Sequence, residues 1–243
     1  MVNRILASLL EGVFPQHCIL CGLRSHHTLP LCADCAADLQ PNQYGCTRCA
    51  LPLPQTGPEI TQAQCGNCLR DPPPFDRVIA PWLYDELMAY LIHRWKFQRE
   101  QRLTPLLASL WLRRRDDIGD IDLMLPVPLH WRRLWWRGFN QSLLLCQALR
   151  GTNRALASIP LATKTLSRSR ATAPQSGMNA RERAGNLRNA FTVHKPCDNL
   201  RVAVIDDVFT TGATAVALAT ALRAAGASRV EIWCLARTPS PGN

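Results

Sequence analysis

An apolar run, two carboxylates and a hydroxyl-rich turn follow one another within Arg201–Thr214. The four apolar residues Val202–Ile205 predict a parallel strand that is buried on both faces. Asp206 and Asp207 come directly after this strand. Because buried and unpaired carboxylates are costly, we expect both side chains to lie where the strand opens to solvent or to a ligand.

The turn after the carboxylates consists of Thr210, Thr211, Gly212, Ala213 and Thr214. Its glycine permits positive φ and close backbone approach, and its hydroxyl and N–H groups can donate hydrogen bonds. Apolar residues at helical spacing from 215 to 225 predict a helix directly after the turn. The turn and the helix N-terminus suit a phosphate, and the carboxylates suit ribose hydroxyls or a metal ion. The simpler interpretation is a strand–helix turn with threonine caps.

Eight of the eleven cysteines form four Cys-x-x-Cys pairs before residue 69. The pairs are Cys18/Cys21, Cys32/Cys35, Cys46/Cys49 and Cys65/Cys68. Each such turn lets two sulfurs converge on one ion, and two turns complete a tetrahedral site of four sulfurs. We therefore predict one or two structural zinc ions. Sequential pairing is the simplest arrangement, the spacing leaves an interleaved cross-brace open, and disulfides or redox-active thiols are the alternatives.

The net charge indicates which kinds of partner the protein binds, and the cysteine pattern indicates in which cellular compartment it lies. The 243 residues carry a formal net charge of +10, which comes from arginine far more than lysine and favours anionic partners such as phosphates, pyrophosphate or nucleic acid. Paired cysteine spacing with an odd total indicates metal binding in a reducing compartment, so we predict a cytoplasmic protein. No apolar stretch reaches the length of a membrane span. The first residues predict a short docking helix instead.

A segment rich in arginine and tryptophan, residues 129–142, follows a predicted strand. Its arginines are Arg132, Arg133 and Arg137, and its tryptophans are Trp131, Trp135 and Trp136. Arginine beside aromatic rings can stack bases and neutralise the phosphates of a single strand. An equally good interpretation makes the tryptophans core or interface anchors and the arginines surface groups. Beside a phosphate pocket, the arginines would have a third use, which is to neutralise a leaving group.

A proline-rich spacer at 71–74 divides the chain into a cysteine module, residues 1–71, and a second domain, residues 72–243. Alternating strands and helices in the second domain predict an α/β fold with a mostly parallel sheet and a ligand at the carboxyl ends of its strands. The predicted strands lie at 75–84, 121–127, 155–166, 191–194, 202–205 and 230–236, and the predicted helices at 86–97, 103–115 and 215–225, with another that ends at 150. The polar residues 167–189 predict a loop over the substrate or a solvated excursion, with a helix at 179–186.

The stretch Val202–Thr214 resembles the thirteen-residue signature of type I phosphoribosyltransferases, enzymes that use phosphoribosyl pyrophosphate (PRPP). The order of the zinc module, the segment Arg137–Gln141 (RGFNQ) and this signature resembles the ComF family, which includes GntX-like proteins. The resemblance implies a double zinc ribbon joined to a type I phosphoribosyltransferase-like parallel sheet with helices on both faces. It also implies uptake or use of external DNA, in competence or as a nutrient, and gluconate use for GntX-like members.

Where residues of this sequence match the family's motifs, the resemblance implies a role for each of them. Asp206 and Asp207 would hold the ribose hydroxyls of PRPP, directly or through Mg²⁺, and residues 210–214 would hold its 5′-phosphate. The candidates for stabilising the departing pyrophosphate are Arg132, Arg133 and Arg137. No nucleobase hood is recognisable in the sequence, so the acceptor is left unspecified.

Two functions of different classes follow from these residues. One is PRPP-dependent glycosyl transfer, in which pyrophosphate leaves C1′ of the ribose. The other is a non-catalytic nucleic-acid-binding or adaptor protein that reuses the fold. The partners implied are PRPP, single-stranded DNA or nucleotides, and DNA-import or helicase machinery.

Overall fold

The central sheet consists of four parallel strands. They are β1 (Arg77–Ile79), β3 (Leu123–Pro126), β6 (Arg201–Ile205) and β8 (Arg229–Trp233). Their order across the sheet is β1-β8-β6-β3, so the apolar strand β6 is inside the sheet and pairs with β8 on one side and β3 on the other. The computed structural model describes residues 16–25, 27–54, 63–113, 119–168 and 190–240. The predicted α/β class with a parallel sheet is confirmed.

Two smaller sheets accompany the central one. A parallel three-stranded sheet has the order β2-β9-β7, where β2 is Trp82–Leu83, β7 is Val208–Phe209 and β9 is Ala236–Arg237. An antiparallel pair joins β4 (Leu166–Arg168) and β5 (Phe191–Val193). The single strands predicted at 75–84 and 230–236 are therefore each divided between two sheets. Pro81, which has no N–H to donate to a ladder, lies at the first of these breaks.

The helices cover both faces of the central sheet. They are α1 (Ala33–Asp38), α2 (Gly66–Arg70), α3 (Glu86–Phe97), α4 (Thr104–Arg113), α5 (Trp131–Arg137), α6 (Gln141–Thr152), α7 (Arg154–Ala157) and α8 (Ala213–Ala224), with a 3₁₀ turn at Gln101–Leu103. Helix α3 has its predicted bounds because the Asp85 carboxylate accepts a hydrogen bond from the Met88 N–H at 2.9 Å and caps the helix. No helix in these described ranges combines the length and the apolar character needed to cross a membrane.

The strand predicted at 155–166 is wrong over most of its length. The Asn153 side chain accepts a hydrogen bond from the Leu156 N–H at 3.1 Å, so it caps the short helix α7 where a strand was predicted. Leu161 forms an isolated parallel bridge with Met124 of β3, and a regular strand begins only at Leu166. The predicted N-terminal helix, residues 114–115 of the predicted helix at 103–115, and residues 169–189 with their predicted helix lie outside the described residues.

A hydrophobic core lies on each face of the central sheet. Successive side chains of β6 point to opposite faces, so Ala203 and Ile205 pack into one core while Val202 and Val204 pack into the other. Residues of α3, α4 and α6 complete the first core, and residues of α8 complete the second. Helices on both faces of the sheet are thus confirmed.

The cysteine module contributes to both cores. Cys18, Leu31 and Leu39 pack into the first core. Cys46, Cys49, Cys65 and Cys68 pack into the second. The two halves of the module therefore cover opposite faces of the sheet, although the division of the chain at residue 71 stays a prediction.

Candidate functional site

A cavity of about 620 Å³ lies beside the ends of β3 and β6, where parallel strands present their carboxyl ends. Asp206, Asp207 and all five residues of the turn at 210–214 line it. The ends of α3 and α5 supply the opposite wall with Lys96, Phe97 and Arg137. The structure thus brings the predicted acidic pair and the predicted phosphate turn around one cavity.

The Asp207 carboxylate is buried and is held on both of its oxygens. Oδ1 accepts a hydrogen bond from the Val208 N–H at 2.6 Å and forms an ion pair with Lys96 Nζ at 2.7 Å. Oδ2 accepts a hydrogen bond from Gln141 Nε2 at 2.8 Å. The Gln141 amide oxygen in turn accepts a hydrogen bond from Arg137 Nη1 at 2.6 Å. A charge that would be costly alone is therefore neutralised and hydrogen-bonded.

The neighbouring Asp206 carboxylate is half-buried and less strongly paired. Its Oδ1 accepts a hydrogen bond from the Asp207 N–H at 2.9 Å. Burial, and after it the negative charge of Asp207, raise the pKa of Asp206 to about 7, against the opposing effects of Lys96 and Arg168. A carboxyl of this kind ionises more readily when a cation or a hydroxyl donor enters the cavity.

The phosphate turn presents exposed threonines and an open helix end. Thr210 and Thr211 are exposed, and Gly212 has φ +80°, a left-handed conformation that other residues rarely adopt. A Cβ at Gly212 would lie 2.8 Å from the Phe209 ring, so the close approach also requires glycine. Helix α8 begins at Ala213, and no side chain of its N-cap residue Gly212 is available to cap it. Its first N–H groups are therefore oriented for an anion.

The three predicted arginines lie in different surroundings. Arg133 and Arg137 line the cavity, whereas Arg132 is exposed and stacks on Trp131, 5.3 Å from the ring centre. Arg137 is buried with its guanidinium 5.3 Å from the centre of the Phe97 ring, and this burial lowers its pKa. Two of the three are thus positioned to meet an anion in the cavity.

The eight cysteines of the module form two clusters of four. Cys18, Cys21, Cys32 and Cys35 form the first, and Cys46, Cys49, Cys65 and Cys68 form the second. Within each cluster, all four sulfurs lie within 4.8 Å of one another. This is the sequential arrangement of the pairs, and the donor set is the one that a tetrahedral structural zinc ion requires.

Backbone N–H groups around the Cys46 sulfur favour its thiolate form, which is the form that binds zinc. Burial alone would raise the pKa of Cys46, but hydrogen bonds from the backbone of Cys49, Cys65 and Arg48 outweigh it and lower the pKa to about 7. The Cys65 N–H lies 3.2 Å from the Cys46 sulfur. Burial, and after it the neighbouring thiols, raise the pKa of Cys49 and Cys68, so we expect zinc binding to release protons from these two thiols.

Comparison with known proteins identifies the cysteine module and the family. The family model described as a double zinc ribbon domain matches residues 9–69. The DNA utilization protein YhgH of Salmonella typhimurium is 37% identical over 214 residues, which cover 86% of this chain and 90% of that protein. Competence protein F of Haemophilus influenzae is 34% identical over 238 residues, which cover 94% of this chain and all of that protein. The chain belongs to the ComF/GntX family. Its two cysteine clusters are the structural zinc sites of the double ribbon.

Solved structures resemble this ComF/GntX-family chain only distantly. A glutamine PRPP amidotransferase from B. subtilis is 19% identical over 56% of this chain, with a TM-score of 0.34, and the match spans 25% of that protein. A purine phosphoribosyltransferase from Pyrococcus horikoshii is 17% identical over 64% of this chain and 79% of that protein, with a TM-score of 0.30. Similarities this low carry no information about activity.

One buried arginine joins the second cysteine cluster to the phosphate turn. Arg237 donates hydrogen bonds to the carbonyl oxygens of Cys49 at 3.2 Å, Phe209 at 3.2 Å and Thr210 at 2.7 Å. Its guanidinium also stacks on the Phe209 ring at 4.9 Å from the centre. In this ComF/GntX-family protein the zinc ribbon therefore supports the loop that faces the cavity.

The acidic pair also suits Mg²⁺ in its donor chemistry. Carboxylate oxygens are the protein ligands that Mg²⁺ prefers, and Asp206 and Asp207 both line the cavity. The oxygens of Asp207 are at present engaged by Lys96, Gln141 and a backbone N–H. An ion bound to Asp207 would share an oxygen with one of these partners or displace it.

Three cavity residues escaped the sequence analysis as site residues. Lys96 belonged to a correctly predicted helix, and Gln141 closed the RGFNQ segment without being assigned a role. Arg168 belonged to the polar stretch 167–189, and its guanidinium lies 5.4 Å from the centre of the Phe191 ring. Its position at the cavity wall depends on the pairing of β4 with β5, which no sequence signal specified.

Substitution of Arg237 by methionine tests the link between the zinc ribbon and the phosphate turn. We expect Arg237→Met to lower the free energy of unfolding by about 2–4 kcal/mol, because several buried carbonyl oxygens lose their donor. Urea denaturation followed by circular dichroism measures the change. The control is Arg132→Met on the exposed face of α5, which we expect to stay within about 0.5 kcal/mol of the original protein. An equal effect of the two substitutions would contradict the link.

Substitution of Asp206 by asparagine tests the strain at the acidic pair. The pKa of Asp206 is about 7 in the folded protein against an ordinary value of 3.8, so the folded state binds this proton more tightly than the unfolded state. Stability therefore falls as the pH rises from the lower value through the higher one. Asp206→Asn lacks this dependence, so its melting temperature relative to the original protein should be higher at pH 8 than at pH 5. The same difference at both pH values would refute the shifted pKa.

Proposed function

We propose that this ComF/GntX-family protein binds PRPP in the cavity between its acidic pair and its phosphate turn, and that it acts in the use of external DNA. The observation that carries the proposal is the convergence of Asp206, Asp207 and residues 210–214 around one cavity that also contains arginine and lysine. These are the parts that a ribose carrying a phosphate at one end and a pyrophosphate at the other requires.

Each part of PRPP has a matching part of the cavity. The 5′-phosphate suits the turn at 210–214 and the N–H groups at the start of α8, where the helix dipole favours negative charge. The ribose hydroxyls suit the carboxylates of Asp206 and Asp207, which accept hydrogen bonds. The pyrophosphate suits the guanidinium groups of Arg133 and Arg137 on the opposite wall.

The biological setting comes from the relatives. The Salmonella and E. coli relatives are called DNA utilization proteins, and the Haemophilus relative is called a competence protein. Matches that cover 86–94% of this chain include both the zinc ribbon and the α/β part. We therefore assign this chain to the same process, with single-stranded DNA or nucleotides as partners and with DNA-import machinery around it.

Turnover of PRPP would be a glycosyl transfer. An acceptor nucleophile bonds to C1′ while the bond from C1′ to the pyrophosphate oxygen breaks and its electron pair leaves with pyrophosphate. Arg133 and Arg137 would stabilise the departing charge, and the carboxylates would hold the ribose hydroxyls and stabilise positive charge at C1′. Bound Mg²⁺ would supply a Lewis acid for the pyrophosphate oxygens. The acceptor and its proton remain to be identified by experiment.

A second candidate function, nucleic-acid binding without turnover, is supported by one surface. Helix α5 exposes 65% of Trp131, 84% of Trp135 and 56% of Trp136, so these side chains are not the core anchors that the sequence allowed. Arg132 stacks on Trp131 on the same helix. Exposed indole rings beside arginine suit the stacking of unpaired bases. Trp136 also lines the cavity proposed for PRPP, whereas Trp131 and Trp135 do not, so the two functions share part of α5.

Calorimetric titration with PRPP, with and without Mg²⁺, tests the first proposal. We expect Mg²⁺-dependent binding that is weakened about tenfold or more in Asp207→Asn, because the ribose and the metal lose an ionised ligand. Asp38→Asn, at the exposed end of α1, is the matched control and should bind like the original protein. Absence of PRPP binding in the original protein would contradict the proposal.

The same preparations separate the second candidate from the first. Titration with a single-stranded oligonucleotide should give salt-dependent binding that is weakened by Trp135→Ala and unaffected by Asp207→Asn. Loss of about 1–3 kcal/mol of binding free energy is expected for one stacked base. Oligonucleotide binding without PRPP binding would favour the adaptor function over the transferase.

A further inference from the structure

Lys96 and Asp207, which form an ion pair, both line the cavity. Lys96 lies in the last turn of α3, and its Nζ is 2.7 Å from Asp207 Oδ1. The two side chains are only 16% and 9% exposed. The pair therefore connects the α3 wall of the cavity directly to the carboxyl end of the central strand β6.

Lys96 contacts one of the two Asp207 oxygens that are available to a bound ion or a ribose hydroxyl. Asp207 Oδ2 is already held by Gln141, and Oδ1 is shared by the Val208 N–H and Lys96. Gln141 is fixed in place by its hydrogen bond from the buried Arg137, and the Val208 N–H belongs to the backbone of β7. Lys96, at the end of a flexible four-carbon chain, is the partner that can leave.

We propose that Lys96 is a pyrophosphate-binding residue that holds Asp207 in the ligand-free protein and exchanges to the pyrophosphate when Mg²⁺ and PRPP enter. This inference rests on the proposed function and adds a residue and an exchange to it. Lys96 lines the same cavity as Arg133 and Arg137, which are the cations proposed for the pyrophosphate. A cation that already neutralises Asp207 also keeps the cavity stable before the ligand arrives.

The choice of lysine at this position supports the exchange. The chain has three lysines among its 28 basic residues, and the other two, Lys164 and Lys195, are exposed. Arginine forms forked, two-point bonds to carboxylates, which hold a pair in one geometry. Lysine is a point charge with three rotatable donors, and it can pass from a carboxylate to a phosphate oxygen with little geometric cost.

The exchange predicts effects of opposite sign on two ligands. Lys96→Met keeps the length and the apolar stem of the side chain but removes the charge. Asp207 then faces the cavity without its cation, so a divalent metal alone should bind more tightly. Pyrophosphate should bind more weakly, because one of its cations is lost. A residue that only stabilises the fold would not move the two affinities in opposite directions.

The experiment measures Mn²⁺ binding by electron paramagnetic resonance and Mg²⁺–pyrophosphate binding by calorimetry on the full chain. For Lys96→Met we expect Mn²⁺ to bind severalfold more tightly and pyrophosphate to bind more weakly by about tenfold or more, because a hydrogen bond to a charged group is lost. Lys96→Arg should bind pyrophosphate but release Asp207 less readily, so its Mn²⁺ affinity should not rise. Lys195→Met is the matched control with an exposed lysine.

Any other combination overturns the inference. Parallel loss of both affinities in Lys96→Met would indicate a structural role, and an unchanged pyrophosphate affinity would show that Lys96 does not reach this ligand. Thermal melting of each variant identifies a change in folding. If the proposed function is wrong, the original protein binds no PRPP, which a titration of the original protein alone shows. In that case the inference about Lys96 is wrong as well.

Discussion

Two adjacent carboxylates at the end of a buried strand are the constraint on which the site depends. Asp206 and Asp207 directly follow β6, whose side chains pack into the cores on both faces of the sheet. Because β6 is fixed in this way, the two carboxylates stay close to the core. Their mutual repulsion and their burial are offset by Lys96 and Gln141, with Arg137 behind them. Two adjacent buried carboxylates lower the stability of the fold, and such groups are typical of ligand-binding sites.

The zinc ribbon supports this site instead of standing apart from it. Each cysteine cluster packs into one of the two cores, and Arg237 connects the second cluster to the turn that faces the cavity. Arg237 thereby holds the carbonyl oxygens of Cys49 and Thr210 on one guanidinium group. The ribbon and the cavity are therefore in direct structural contact in this ComF/GntX-family chain.

The sequence predicted the elements whose signals are local and left out the contacts that depend on the fold. The apolar run of β6, the capped helix α3 and the cysteine pairs have spacing that a single segment specifies. The strand prediction over α7 is wrong because a helix of four residues is too short to show helical periodicity, so that only its Asn153 cap marks it in the sequence. Lys96 lies 111 residues before Asp207 in the chain, and only the packing of α3 beside the end of β6 brings them together. No spacing rule could predict that pair.

The central claim is that Mg²⁺ and PRPP bind between the acidic pair and the phosphate turn. Hydrogen–deuterium exchange of the amides, with and without Mg²⁺ and PRPP, tests it most directly. The account predicts slower exchange in peptides that cover residues 206–216, and unchanged exchange in the first cysteine cluster at 18–35. Saturating PRPP that leaves the amides at 206–216 unprotected would contradict the account.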